Sequence, residues 1–125
     1  MGDSRIYQKK GDSFLLITDD HTPTGEMFRA DYIKIHEIPE TAGSNTLTKH
    51  LGHKAMLEAD FFTLDSLESC FLICCDGVWS SLHTKEGLYA PENYKNQEFI
   101  EHIVDEALKR DGSDNCSALL IDIQS

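Results

Sequence analysis

A chain of 125 residues is long enough for one small domain with a single hydrophobic core, and we treat residues 1–125 as that domain. Its 22 acidic residues outnumber its 11 basic ones, and the net charge of −11 argues against nucleic acid and anionic membranes as partners. No apolar run approaches the roughly 20 residues that cross a bilayer, and residues 1–5 lack the basic and apolar regions of a signal peptide.

The first part of the chain is predicted to form an antiparallel hairpin. Residues 4–18 contain two alternating stretches separated by the turn signal KKGD at residues 9–12. Pro23 and the acidic pair before it end the sheet. Residues 24–38 leave two alternatives open, because their start favours a helix whereas the alternation over residues 32–38 favours a strand.

The second part combines strands with one long helix. Residues 55–67 are predicted to form a strand with a register change, and residues 70–75 and 116–123 are apolar runs typical of buried strands. Residues 98–110 place apolar side chains on one helical face, and Gly112 ends that helix. Because strands and helices do not alternate regularly, an antiparallel α+β fold is favoured over a doubly wound parallel sheet.

The four cysteines are expected to be reduced and structural. Three of them, Cys70, Cys74 and Cys75, lie in one apolar run, where a free cysteine behaves as a small hydrophobic residue. The sequence contains no CxxC motif, which argues against a zinc knuckle and against a thioredoxin-type site. Because unpaired cysteines are typical of reducing compartments, this usage predicts a cytoplasmic protein.

The apolar run at residues 70–75 ends abruptly at Asp76 and Gly77. Aspartate is disfavoured in strands, and a glycine permits a sharp turn and removes side-chain bulk beside the carboxylate. A carboxylate fixed at the rim of a core suits a metal ligand or a catalytic acid. The alternative is an ordinary Asp-Gly turn after a strand.

Three aspartates share this setting at predicted strand ends. Asp3 precedes a strand, Asp76 follows one and Asp114 precedes one. In an antiparallel sheet the end of one strand and the start of its neighbour lie on the same edge, so the three carboxylates could meet there. An all-oxygen cluster is the environment that Mg²⁺ or Mn²⁺ selects. The alternative is that each carboxylate is simply solvated.

Five motifs cover nearly the whole chain: GDSRIY at Gly2–Tyr7, LLITDDH at Leu15–His21, SNTLTKHLG at Ser44–Gly52, CFLICCDGVW at Cys70–Trp79 and GSDNCSALLI at Gly112–Ile121. In this order and at these intervals they resemble the metal-dependent protein serine/threonine phosphatases of type 2C. The resemblance implies hydrolysis of phosphoserine and phosphothreonine by a metal-activated water. It also implies an αββα sandwich, with antiparallel sheets packed face to face and helices outside, of which this chain is about the C-terminal half.

The resemblance implies a metal site as well. In that family a pair of Mn²⁺ or Mg²⁺ ions lies between the sheets and holds the attacking water. The family's ligands fall on Asp76, in its strand-end pair with Gly77, and on Asp114, whereas Asp3 is similar to a ligand of a third, weaker metal. Three further matching positions look mainly structural in the family: Arg5, His21 and Asn115.

The chain also departs from the family pattern. A phosphate-gripping arginine and an Asp-Gly-His-Gly motif from the family's first half have no counterpart, and Ser80 stands where many members have a further aspartate. The sequence starts within a motif, as expected of a fragment. We therefore expect weak metal binding and no activity from these residues alone. The alternatives are a non-catalytic, phosphatase-like regulatory module and one half of a split phosphatase.

The partners expected from the resemblance are a phosphoprotein substrate, if the missing half is supplied, and a second copy of the chain. Strands that are apolar on both faces leave one face uncovered when only half of a sandwich is present. Exposed apolar surface and open sheet edges favour association. A homodimer is therefore predicted, packed sheet on sheet or by strand swapping. The alternative is that the hairpin at residues 4–18 folds over and closes a small monomer.

Overall fold

The computed structural model describes residues 1–11, 13–54, 58–64, 69–84, 87–88 and 96–123. In chain order the elements are β1 (Arg5–Lys10), β2 (Ser13–Leu16), α1 (Pro23–Arg29), a 3₁₀ helix (Ile35–Glu40), β3 (Ser69–Cys74), α2 (Asp76–Leu82), β4 (His83–Thr84), β5 (Gly87–Leu88), α3 (Asn96–Arg110) and β6 (Ala118–Ile123).

A four-stranded antiparallel sheet with the strand order β2-β1-β3-β6 is the centre of the fold. β1 pairs with β2 as the predicted hairpin, and β3 pairs with β1 on one side and with β6 on the other. β4 and β5 form a separate two-stranded ribbon. The prediction of an antiparallel α+β fold is confirmed, and the four-stranded sheet with its helices corresponds to one sheet layer of a sandwich.

One face of the four-stranded sheet forms the hydrophobic core with α2 and α3. The sheet contributes Tyr7, Phe14, Leu72 and Cys74 to it, and the helices contribute Val78, Trp79, Leu82, Phe99, Ile103 and Ala107. The spacing of the α3 residues is that of the predicted apolar stripe. Fully burying a large apolar side chain stabilises a fold by about 1.5–3 kcal/mol. None of the described helices is long and apolar enough to span a bilayer.

The opposite face of the sheet carries apolar side chains that lie outside the core cluster. The register pairs Phe71 with Ile121 and Ile73 with Leu119, so these four side chains share a face. Leu119 is 56% exposed and Ile121 is 39% exposed. The prediction of a buried final strand is therefore wrong for β6, because it is an edge strand and only one of its faces packs on the core.

Two local predictions are settled by the structure. The helix alternative holds for α1, where the Thr22 hydroxyl accepts the Gly25 N–H at 2.9 Å and Pro23 occupies the first turn. The alternation over residues 32–38 gives no strand, because residues 35–40 form a 3₁₀ helix. Residues 58–64 are not in a strand either, and the rest of the strand predicted at residues 55–67 lies outside the described residues.

Candidate metal centre

Strand pairing brings the three candidate aspartates to one edge of the sheet. Arg5 of β1 pairs with Cys74 of β3, and Cys74 pairs with Ala118 of β6. The start of β1, the end of β3 and the start of β6 therefore lie side by side. Beyond these positions, a cavity of about 540 Å³ is lined by Asp3, Asp76 and Asp114, together with Asp111, Trp79 and the polar residues Ser44, Asn45, Ser80 and Ser113.

Asp76 is the first residue of α2, so the alternative of a simple turn is wrong. The Gly77 N–H donates to Asp76 Oδ1 at 3.0 Å, which fixes the carboxylate at the helix start. A negative charge in the first helical turn is favoured by the helix dipole. The helix continues from Asp76 through Leu82.

Asp114 lies on the turn that leads into β6, directly against the start of α2. Its Oδ1 accepts the Asn115 N–H at 2.7 Å. The Asn115 carbonyl accepts the Cys75 thiol at 3.1 Å, and the Gly77 carbonyl accepts the Cys116 thiol at 3.4 Å. These contacts join the segments that carry Asp76 and Asp114, so the turn is held beside the helix.

The cavity is strongly negative. Burial, and then the nearby Asp76 carboxylate, raise the pKa of Asp3 above its ordinary value. The pKa of the Cys116 thiol is raised by burial, by Cys75, and by the carboxylates of Asp114, Asp111 and Asp76. Among the described residues that line the cavity, none is a lysine, an arginine or a histidine. A bound cation would relieve this repulsion.

The donor set fits a hydrated, hard divalent ion better than a fully caged one. The acidic residues that line the cavity are aspartates, and Mg²⁺ and Mn²⁺ prefer carboxylate oxygens as ligands. Within the described parts of the chain, no three acidic, histidine or cysteine side chains gather closely enough to form a complete ligand set. One or two carboxylates with water in the other positions remain a suitable site for such an ion.

Comparison with known proteins agrees with this arrangement, although no protein-family model matches the sequence. The serine/threonine phosphatase stp of Listeria innocua serovar 6a is 27% identical over 127 residues, covering 98% of this chain and 49% of that protein. The PPM Ser-Thr phosphatase MsPP from Mycobacterium smegmatis, solved in complex with cacodylate, has a TM-score of 0.83 at 27% identity, over 99% of this chain and 54% of MsPP. The chain is similar to the PPM, or type 2C, serine/threonine phosphatases over about half of their length.

The chain spans about half the length of each of these two phosphatases. The catalytic domain of the phosphatase PstP, solved in complex with 2 manganese ions, has the same fold, with a TM-score of 0.66 and 21% identity over 98% of this chain and 50% of PstP. The expectation of a partial type 2C fold is confirmed.

Arg5 is fully buried, and its guanidinium is stacked on Trp79, which lines the acidic cavity. Its Nε donates to Asp20 Oδ1 at 2.9 Å and its Nη2 donates to Asp20 Oδ2 at 2.6 Å. The guanidinium also lies 3.5 Å from the centre of the Trp79 ring and donates to the Tyr7 hydroxyl at 3.1 Å. Sequence reasoning missed Asp20, although a buried arginine requires a carboxylate partner and the acidic pair at residues 19–20 was available.

His21 joins three segments close to the same edge. Its N–H donates to the Gly2 carbonyl at 2.9 Å, and its own carbonyl accepts the Thr48 N–H at 2.8 Å. Its Nε2 contacts the Asp60 carboxylate, which also accepts Lys49 Nζ at 2.9 Å. Lys49 and then His21 hold the pKa of Asp60 below its ordinary value. His21 thus anchors the backbone next to Asp3, outside the acidic cavity.

Asp111 is a further carboxylate of the cavity that the sequence did not single out. It follows the last residue of α3, and its N–H donates to the Ala107 carbonyl at 3.1 Å. Gly112 and Ser113, which mark the end of a helix, were the available signal. The metal roles of Asp3, Asp76, Gly77 and Asp114 stay predictions.

Proposed function

We propose that this chain carries part of the metal-holding site of a protein serine/threonine phosphatase. The observation that supports the proposal is that Asp3, Asp76 and Asp114 line one acidic cavity at a single edge of the sheet. In the proposal, Asp76 and Asp114 hold Mn²⁺ or Mg²⁺ beside the Gly77 backbone, and Asp3 serves a third, weaker ion.

The cavity residues would orient the reacting groups. A bound divalent ion supplies a water of lowered pKa and stabilises negative charge at phosphorus. The Gly77 N–H holds the Asp76 carboxylate in one orientation. The side chains of Ser80 and Ser113 at the cavity wall are suited to hydrogen-bond water or phosphate oxygens.

Substrate binding requires positive charge that the described wall of the cavity lacks. A phosphoserine or phosphothreonine side chain carries about −1.5 to −2 charges at pH 7 and would be repelled by the surrounding carboxylates. We therefore propose that residues outside these 125, in the same polypeptide or in a partner chain, complete the site. The substrate of the completed enzyme is then a phosphoprotein.

Metal binding is tested by titrating the 125-residue chain with Mn²⁺ in a calorimeter. We expect weak binding that falls several-fold in Asp76→Asn and in Asp114→Asn, because each variant removes one charged ligand. Asp105→Asn is the matched control, since it removes the same charge from an exposed position on α3. Identical isotherms for the wild type and both cavity variants would overturn the proposed site.

Activity is tested with p-nitrophenyl phosphate and millimolar Mn²⁺. We expect the 125-residue chain to show no useful turnover, because catalysis of this kind depends on positioned cations as well as on metal. Turnover that disappears in Asp76→Asn would show that these residues form a complete site. Metal binding without turnover even after a completing chain is supplied would favour the alternative, a non-catalytic phosphatase-like module.

The proposal extends to location and partners. The four cysteines are free, which supports a cytoplasmic setting. The acidic balance of the sequence supports neither nucleic acid nor an anionic membrane as a partner. The exposed apolar face of the sheet supports a homodimer of the 125-residue chain.

A further inference from the structure

Trp79 connects the acidic cavity to the buried interior. Trp79 lies one helical turn after Asp76 on α2. It is only 3% exposed, and the small exposed part of its side chain lines the cavity. Its indole N–H donates to the carbonyl oxygen of Asp3 at 2.8 Å. A buried indole N–H needs an acceptor, and here that acceptor is the backbone of a candidate metal-binding residue.

The indole ring is held in one orientation by the group stacked on it. The Arg5 guanidinium lies 3.5 Å from the ring centre, a separation typical of a strong cation–π contact. The guanidinium is itself clamped by both carboxylate oxygens of Asp20. Rotation of the indole away from Asp3 would therefore break its hydrogen bond to the Asp3 carbonyl and its contact with the buried Arg5 guanidinium.

The hydrogen bond from Trp79 holds Asp3 in place against repulsion from the Asp76 carboxylate. Asp3 and Asp76 line the same cavity, and two carboxylates at short range repel each other. The Asp3 segment precedes β1, and the strand pairing begins only at Arg5. Gly2 is held by backbone hydrogen bonds to His21 and Lys49, and the indole donor adds a restraint at the Asp3 carbonyl itself that opposes outward movement of this segment.

We propose that Trp79 is a positioning residue for the acidic cavity: its indole N–H fixes the Asp3 peptide so that the Asp3 carboxylate stays at the cavity wall, where it contributes to metal binding. The inference rests on the proposed metal site. Trp79 touches no metal in this scheme and acts through Asp3. Its removal should lower metal affinity even when the fold remains intact.

Trp79→Phe tests this role, because phenylalanine keeps an aromatic ring for Arg5 and the core but deletes the N–H donor. In calorimetric titration with Mn²⁺ alone, we expect the affinity to fall about 10-fold, as it does when groups supporting metal ligands are removed. Phe99→Leu is the control for general destabilisation, since Phe99 lies in the core on α3 and does not line the cavity. It should leave the affinity unchanged.

A double variant shows whether Trp79 acts through Asp3. In the Asp3→Asn background, Trp79→Phe should have little further effect on Mn²⁺ affinity, whereas an independent role would give additive losses. Unchanged affinity in Trp79→Phe, with a loss in Asp76→Asn, would overturn the positioning role and leave the metal site standing. No Mn²⁺ binding by the wild type would overturn the metal site and this role with it.

The wild-type chain supplies a second measurement if Trp79→Phe does not fold. Trp79 is the single tryptophan, so one indole N–H resonance reports on it in an NMR spectrum. That resonance should shift as Mg²⁺ is added, with the midpoint that a separate calorimetric titration with Mg²⁺ gives. A resonance that stays in place at saturating Mg²⁺ would contradict the proposal.

Discussion

Gly77 determines how closely the Asp114 turn approaches α2. A β-carbon built at residue 77 would lie 2.4 Å from the carbonyl oxygen of Asn115 and 3.4 Å from the β-carbon of Asp114. The first separation is too short for any real contact, so the backbone would have to move. The absence of a side chain is thus what allows the two aspartates to line one cavity.

We expect Gly77→Ala to lower the free energy of unfolding by about 1–3 kcal/mol, because overpacking displaces the turn. It should also weaken Mn²⁺ binding. In a helix without this contact, the same change would stabilise the protein by about 0.5–1 kcal/mol, so the sign is diagnostic. Urea unfolding measures the effect, and Ser80→Ala on the same helix serves as the control. A stabilised Gly77→Ala protein would contradict the close approach.

His83 is a largely buried imidazole that the fold keeps neutral. Its Nε2 lies 2.9 Å from the Tyr7 hydroxyl, and its Nδ1 is buried without a hydrogen-bond partner among the described residues. Burial, and then the positive groups Arg5 and His36, lower the pKa of His83 to about 4. In the unfolded chain the pKa returns to about 6.5. The neutral form therefore stabilises the fold above pH 6.5, and this contribution is lost as the pH falls toward 4.

We expect the wild-type chain to lose roughly 1–3 kcal/mol of unfolding free energy between about pH 7 and pH 4.5 through this one group. His83→Gln should be less stable at pH 7 and should show a shallower pH dependence. Urea unfolding across this pH range measures both quantities. His53→Gln, at an exposed position, should retain the wild-type slope. Equal slopes for the wild type and His83→Gln would contradict the assignment.

At the scale of elements, a buried ion pair joins β1 to the loop before α1. Asp20 accepts both hydrogen bonds from Arg5 and is 4% exposed. Its carbonyl also accepts Arg29 Nη1 at 3.0 Å, and a β-carbon at Gly25 would lie 2.3 Å from that carbonyl. The position of α1 relative to the sheet therefore depends on Asp20.

Asp20→Asn should destabilise the chain by about 3–5 kcal/mol, because it leaves the Arg5 charge buried and without its carboxylate. Asp19→Asn is the matched control. Asp19 is partly exposed and lies 4.0 Å from Arg29, so its loss should cost less than about 1 kcal/mol. Thermal or urea unfolding measures the free energy of unfolding of both variants. Equal decreases in the two would show that the buried Arg5–Asp20 pair is no more stabilising than an exposed one.

At the scale of the whole molecule, the dominant feature is the second face of the sheet, which buries Phe71 but exposes apolar side chains toward its edges. Leu15, Leu119, Ile121 and Ile123 are all more than a third exposed, and three of them lie on the edge strand β6. Soluble monomers rarely expose contiguous apolar patches beyond a few hundred Å². An open edge strand adds unpaired backbone groups to this surface.

We expect the 125-residue chain by itself to self-associate through this face. Sedimentation equilibrium over a wide concentration range should show a species heavier than the 14.1 kDa monomer. Ile121→Lys should shift the equilibrium to monomer, because it buries a charge at the interface. Leu108→Lys replaces a similarly exposed apolar residue on α3 and should leave the association unchanged. A wild-type chain that stays monomeric at all concentrations would rule out the dimer.

Much of the fold could be predicted because its strongest elements have local signals. The hairpin, β3 and α3 lie where alternation, continuous apolar character and helical periodicity predicted them. The 3₁₀ helix at residues 35–40 and the non-strand segment at residues 58–64 were mispredicted. Alternating polarity over a few residues leads to a strand only where the core covers one face of the segment. Residues 58–64 are exposed throughout, and the 3₁₀ helix fully buries only Ile38.

The sequence alone determined the antiparallel class, the similarity to type 2C phosphatases and the three aspartates to examine, because these follow from residue types and their order. Only the tertiary structure decided that Asp20 neutralises Arg5, that Trp79 reaches the Asp3 carbonyl and that Asp111 joins the cavity. These contacts depend on how β1, α2 and α3 dock, and the Trp79–Asp3 hydrogen bond joins residues 76 positions apart. No local pattern encodes such a separation, since it results from packing the whole core.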